Sequence, residues 1–167
     1  MLGAISSPLK DTPLQPPPER GPNHAALDCF LGAWQAEGTS FGGTNQSGDP
    51  KANGDEWLSV HTAKWHTGSF FLFQDERATI SGKSFDTLSV FGVDPNTGDY
   101  FARTFENHGF YRHYQLARHE KMWTLTGATE RAQTEFSEDG RTQLIKWEWK
   151  PKDHWLPLCD RTAVRID

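Results

Sequence analysis

The sequence predicts an all-β domain of about ten short antiparallel strands, closed as an up-and-down barrel or stacked as a sandwich. Three observations carry this. From Asp55 onward apolar residues recur with a period of two, not 3.6. Turn-forming clusters interrupt the pattern at short, even intervals. The strand–helix alternation that a parallel sheet requires is missing. At 167 residues the chain has a usual size for one domain. It can enclose a core without help from a metal or a disulfide. The expected organisation is a Pro-rich, flexible tail over 1–21 and a single barrel domain over 22–167.

The elements follow in order. "NHAALDCFLGAW" holds the one helical pattern, with Asn23 as its cap, Ala26, Leu27, Phe30 and Leu31 at helical spacing, and Gly32 as its stop. "LGAWQAEGTSF" then reads as a strand with a tight glycine entry and one large plug, Trp34. The loop Gly42–Gly54 is the longest break. "DEWLSVHTAKWHTG" alternates cleanly. Trp57, Ser59, His61, Ala63 and Trp65 share one face; Leu58, Val60, Thr62, Lys64 and His66 share the other. "SFFLFQDERATI" and "KSFDTLSVFGV" continue as strands. "DPNTGD" is a turn, with φ preset by Pro95 and positive φ tolerated at Asn96 and Gly98. "YFARTFE", "FYRHYQLAR", "MWTLTGAT", "RAQTEF", "TQLIKWEWK" and "WLPLCDRTAVRI" complete the set, joined by hairpin turns. Pro157 implies a bulge or an edge.

Composition excludes several function classes. The formal charge of −5 disfavours nucleic acid and anionic membrane as partners. Cys29 and Cys159 are the only cysteines. They make neither a disulfide framework nor a zinc site, which points to a reducing, cytoplasmic setting. They could pair only if the first and last strands were neighbours. The N-terminal "MLGAISSPLKDTPLQPPPER" lacks the basic start and apolar run of a secretory signal. No segment is long and apolar enough to span a bilayer as a helix. No H-x-H spacing, nucleophile elbow or phosphate-cradling loop occurs, so no metal site is expected.

"GAWQAEG" resembles the G-x-W motif that opens the first strand of calycins, the lipocalins, fatty-acid-binding proteins and nitrobindins. "FGVDPNTGDYFARTFENHGF" resembles the G-x-D-P-x-T-G-x-Y…(D/E)-x-x-G block of the DUF1579 family. "WTLTG", "FSEDGRTQLIKWEW", "HWLPL" and a final Arg-bearing strand follow in that family's order, from about Ala25 to Ile166. The resemblance implies an about ten-stranded, antiparallel up-and-down calycin-like barrel, with a short N-terminal helix closing one end. It implies no settled activity. Glu106 stands where the family pattern has Asp. Nitrobindin-type haem sites need a histidine in the closing strands. "LCDRTAVRID" has none, so the resemblance carries no haem ligand onto this chain.

The residues expected to bind a ligand follow from strand parity. Burying two indoles is favoured and burying the Lys64 ammonium is opposed, so Trp57, His61 and Trp65 should face inward. Tyr111 and His113 should face them, because Arg112 on the alternate face would need a buried partner. Trp147 and Trp149 should line another wall. Probe binding should then weaken on Trp65→Ala and respond to pH near the ordinary imidazole value of about 6.5. The leading reading is a soluble barrel, with no cofactor, that binds a small apolar or aromatic molecule; a homodimer is the one assembly considered. The alternatives are a cofactor-free cyclase, isomerase or hydro-lyase using His and carboxylate groups, with Glu106 and Glu148 as candidates, and a nitrobindin-like haem protein.

Overall fold

In the computed structural model, residues 16–42 and 49–167 are described. The expected tail up to residue 15 and residues 43–48 of the expected loop lie outside them. Among the described residues the strands are β1 (Gly32–Ser40), β2 (Asp55–His66), β3 (Phe71–Ile80), β4 (Lys83–Ser84), β5 (Thr87–Val93), β6 (Tyr100–Glu106), β7 (Tyr111–His119), β8 (Met122–Thr126), β9 (Glu130–Phe136), β10 (Thr142–Trp149) and β11 (Leu156–Arg165). Each strand from β5 to β11 pairs antiparallel with the next, β5 pairs with β3, β3 with β2, and β2 with β1. The register from Trp34↔Arg165 to Ser40↔Cys159 joins β1 to β11 and closes the barrel. Closure removes every long free edge. The sandwich alternative is therefore excluded.

β4 is the first part of the strand read as "KSFDTLSVFGV". That strand breaks at Phe85–Asp86, where the Asp86 amide donates to the Asn107 side chain instead of to a neighbouring strand. The turn after β5 forms as expected. The Asp94 carboxylate accepts the Asn96 amide at 2.8 Å, and Gly98 adopts φ +77°. Pro157 pairs with Glu148 beside the β10–β11 register shift, the kind of irregular position where strands tolerate a proline.

The helix is shorter than its pattern. α1 spans Pro22–Ala26 and gives way to a 3-10 turn over Leu27–Phe30. Asn23 is not its cap. The first turn is tied by the Gly21 amide donating to His24 Nδ1 at 3.1 Å, while Asn23 reaches across to the Gly98 carbonyl. This unit sits over one end of the barrel. Leu27 and Trp34 are fully buried and Phe30 nearly so, packed with Phe91, Trp123 and Phe136. The Trp34 indole donates to the Phe30 carbonyl at 3.2 Å. The Arg165 guanidinium covers its ring, 5.1 Å from the centroid, and also donates to the Leu31 carbonyl. Gly32 adopts φ +109°, and a Cβ there would meet Arg165. The glycine, the plug and the closing arginine are thus one packed unit.

β1 and β11 are neighbours, yet the cysteines do not meet. Cys29 lies in the 3-10 turn at the plugged end. Cys159 pairs with Ser40 at the other end, and both thiols are free. Among the described residues no helix is long and apolar enough to cross a membrane.

Candidate functional site

Above the plug the barrel encloses a cavity of about 430 Å³. Past Trp34 the inward-facing positions of β1 are small, Ala36, Gly38 and Ser40. Ala36 and Ala163 face in, and Gly38 lies so close to β11 that a Cβ would sit 2.1 Å from the Asp160 carbonyl oxygen. Larger side chains from β2, β10 and β11 reach into the space beside these small residues. The floor is Phe30, Phe91 and Leu125. The open end is rimmed by Phe85, His108, Phe110, Trp147 and Leu158.

Two ion-pair clusters lie in this apolar shell. The deep one joins β2, β3 and β11. Arg161 Nη1 donates to Glu76 Oε1 at 2.7 Å, the Ser59 hydroxyl donates to the same oxygen at 2.8 Å, and both charged side chains are 9% exposed. The Arg161 guanidinium lies 4.4 Å from the Trp57 ring centroid. His61 adjoins them with its ring stacked on Trp34. Burial pushes the His61 imidazole down to about 4; nearby Glu76 opposes that fall and Arg161 reinforces it. His61 is therefore neutral at physiological pH, and the expected response near 6.5 is corrected.

The second cluster stands at the open end. Arg112 donates to Glu106 at 3.0 Å and to Glu130 at 2.9 Å, and the Tyr114 hydroxyl donates to Glu130 at 2.7 Å. Burial first, and then the Glu130 charge, push the Tyr114 phenol upward, so it stays a donor. His108 Nδ1 lies 3.8 Å from Glu106.

The sequence-predicted residues divide accordingly. Trp57, His61 and Trp147 line the cavity. Trp65 shares the inward parity of β2 but sits at the plugged end, where its indole donates to Asp28 and fastens the 3-10 turn. Trp149, half-buried at the end of β10, does not reach the cavity wall. For β7 the parity is reversed. His113 is exposed and Tyr111 is 67% exposed, while Arg112 and Tyr114 face in. The physical reason is that the partner an inward Arg112 needs is present twice, as Glu106 on β6 and Glu130 on β9. Glu148 pairs outside the cavity with Arg131.

Glu76, Gln143 and Arg161 were not among the expected site residues. Their signal was parity. Glu76 alternates with the buried Leu72 and Ala78, and Arg161 with Cys159 and Ala163. Among the described residues no group of three His, Cys, Asp or Glu side chains is placed to hold a metal ion.

No protein-family model matches the sequence, and no curated protein matches it. Solved structures do. The crystal structure of Rv2717c from M. tuberculosis superposes with a TM-score of 0.63 at 14% identity, over 89% of this chain and 100% of that one. An S-type phycobiliprotein lyase, CPES from Guillardia theta, superposes at 0.50 with 10% identity, over 86% and 92%. The chain thus shares its overall fold with proteins of very different sequence.

Proposed function

We propose that the protein binds a small, partly aromatic molecule inside the barrel. The carrying observation is the cavity itself: closed at one end by a packed helix–tryptophan plug, open at the other, and walled by Trp57, Phe85, Phe91 and Trp147. A pocket of this size, largely apolar with a few convergent polar groups, is the usual form of a small-molecule site. The lyase among its structural neighbours, named for its action on phycobiliproteins, accords with a barrel used on small molecules. Native mass spectrometry of the purified protein should show a stoichiometric co-purifying small molecule, or titration with an apolar fluorophore should show saturable binding that Trp147→Ala weakens. No co-purifying mass and no saturable binding would remove the reading. Trp65→Ala, at the plug, should act on stability instead of on affinity.

We place the chain with the calycins and the DUF1579 family on its motifs. The G-x-W unit has a structural role here, as do the Asp94–Gly98 turn and the Glu106–Gly109 corner. Two free thiols accord with a cytoplasmic setting. One observation favours a second reading, a cofactor-free enzyme. Glu106 Oε2 is buried at the cavity with no hydrogen-bond partner among the described residues, and a general base needs such a free lone pair. Haem of the nitrobindin kind does not fit. The cavity-facing side chains of β10 and β11 include Gln143, Ile145, Trp147, Cys159 and Arg161, with no imidazole among them. Burial pushes the Cys159 thiol up to about 11.

A further inference from the structure

Among the described residues, five buried polar atoms on cavity-lining side chains have no hydrogen-bond partner: Glu106 Oε2 at the open end and, deeper, Trp57 Nε1, His61 Nδ1, Gln143 Nε2 and Arg161 Nε. Trp57, His61 and Gln143 are all more than nine-tenths buried. The indole N–H and the guanidinium Nε–H can only donate. A buried donor left unmatched is costly, so protein interiors rarely keep one without a purpose. The four side chains that carry the deeper atoms line one cavity, from β2, β10 and β11.

The charge pattern decides what they would accept. The only cation of the deep cluster, Arg161, is already matched by Glu76 at 2.7 Å. His61 carries no charge that could assist. A deep anion would face the Glu76 carboxylate without a free counter-charge, which burial opposes strongly. The cluster at the open end repeats the bias, with Glu106 and Glu130 set against one guanidinium, Arg112.

We infer that the cavity selects uncharged aromatic molecules that carry a carbonyl-type acceptor oxygen, seated deep against Trp57 and Arg161, and that it rejects the corresponding carboxylates. This rests on the binding reading above. The deep wall donates, the flanking rings stack, and the lack of a spare cation among the described cavity groups excludes fatty-acid-like anions.

Three probes test it, all built on dimethylaminonaphthalene: the parent, its methyl ketone and its carboxylate. Each is titrated against the full chain by fluorescence. The ketone should bind about tenfold tighter than the parent, the scale of one good hydrogen bond to a buried donor, and at least about tenfold tighter than the carboxylate. In Trp57→Phe, which keeps a ring but removes the donor, the ratio of ketone to parent affinity should collapse toward one. Circular dichroism confirms that the variant folds. If the carboxylate binds tightest, Arg161 is free to act as a cation and the inference is wrong. If ketone and parent bind alike, solvent already satisfies the donors and the inference is equally wrong, while barrel binding stands. If none of the three binds, barrel binding itself falls.

Discussion

Trp34 is where the plug meets the barrel, and nothing nearby can fill its place. Its ring is fully buried between Arg165, His61 and Phe136, and its N–H is held by the Phe30 carbonyl. Trp34→Ala should cost about 3–5 kcal/mol, the range for large buried aromatics, read from the urea midpoint at unchanged slope. His61 makes a second prediction. Its native imidazole titrates near 4 and its unfolded one near the ordinary 6.5. As pH falls from about 6.5 toward 4, the unfolded chain takes up a proton that the native chain refuses. Native stability therefore drops across that window and levels off below it. The loss attributable to His61 is on the order of 3 kcal/mol. The stability difference between pH 7 and pH 4 should accordingly be much smaller in His61→Gln than in the parent.

At the scale of elements, what was legible depended on chemical contrast between the two faces of a strand. β2 was readable because two indoles stand on one face and Lys64 on the other. Its buried positions, Trp57, Ser59, His61 and Ala63, are those the alternation marks. β7 was not readable from itself. Tyr111, His113 and Gln115 compete with Arg112, Tyr114 and Leu116, and both sets are amphipathic. The decision came from carboxylates on β6 and β9, which no reading of β7 alone contains. The helix shortened for a related reason: packing over the barrel end drew Leu27–Phe30 into a tighter turn. Gly38 was legible as part of a motif but not as a contact. Its replacement by Ala would press a methyl carbon against the Asp160 and Arg161 backbone at 2.1 and 2.7 Å. Gly38→Ala should destabilise by about 1–3 kcal/mol, the usual cost of overpacking, and more if β11 cannot shift. A thermal melt at matched pH checks it.

For the whole molecule, about ten antiparallel strands joined by hairpins were plain from the even spacing and turn signals, whereas that spacing left a sandwich open and the β1–β11 pairing decides for the closed ten-strand circuit, with β4 as a short extra strand. The interior chemistry was not, because it is assembled from residues more than 80 positions apart, such as Glu76 and Arg161. The plugged end has a consequence for rates. A molecule seated above Phe30 has no route past Leu27 and Trp34, so arrival and departure share the rim. Phe110 stands on that rim at 62% exposure, with the Arg112 guanidinium 5.6 Å from its ring centroid. A side chain that obstructs the passage without gripping the bound molecule raises one barrier crossed in both directions. In stopped-flow measurements Phe110→Ala should thus speed association and dissociation by a similar factor, leaving their ratio, and hence the affinity, nearly where it was.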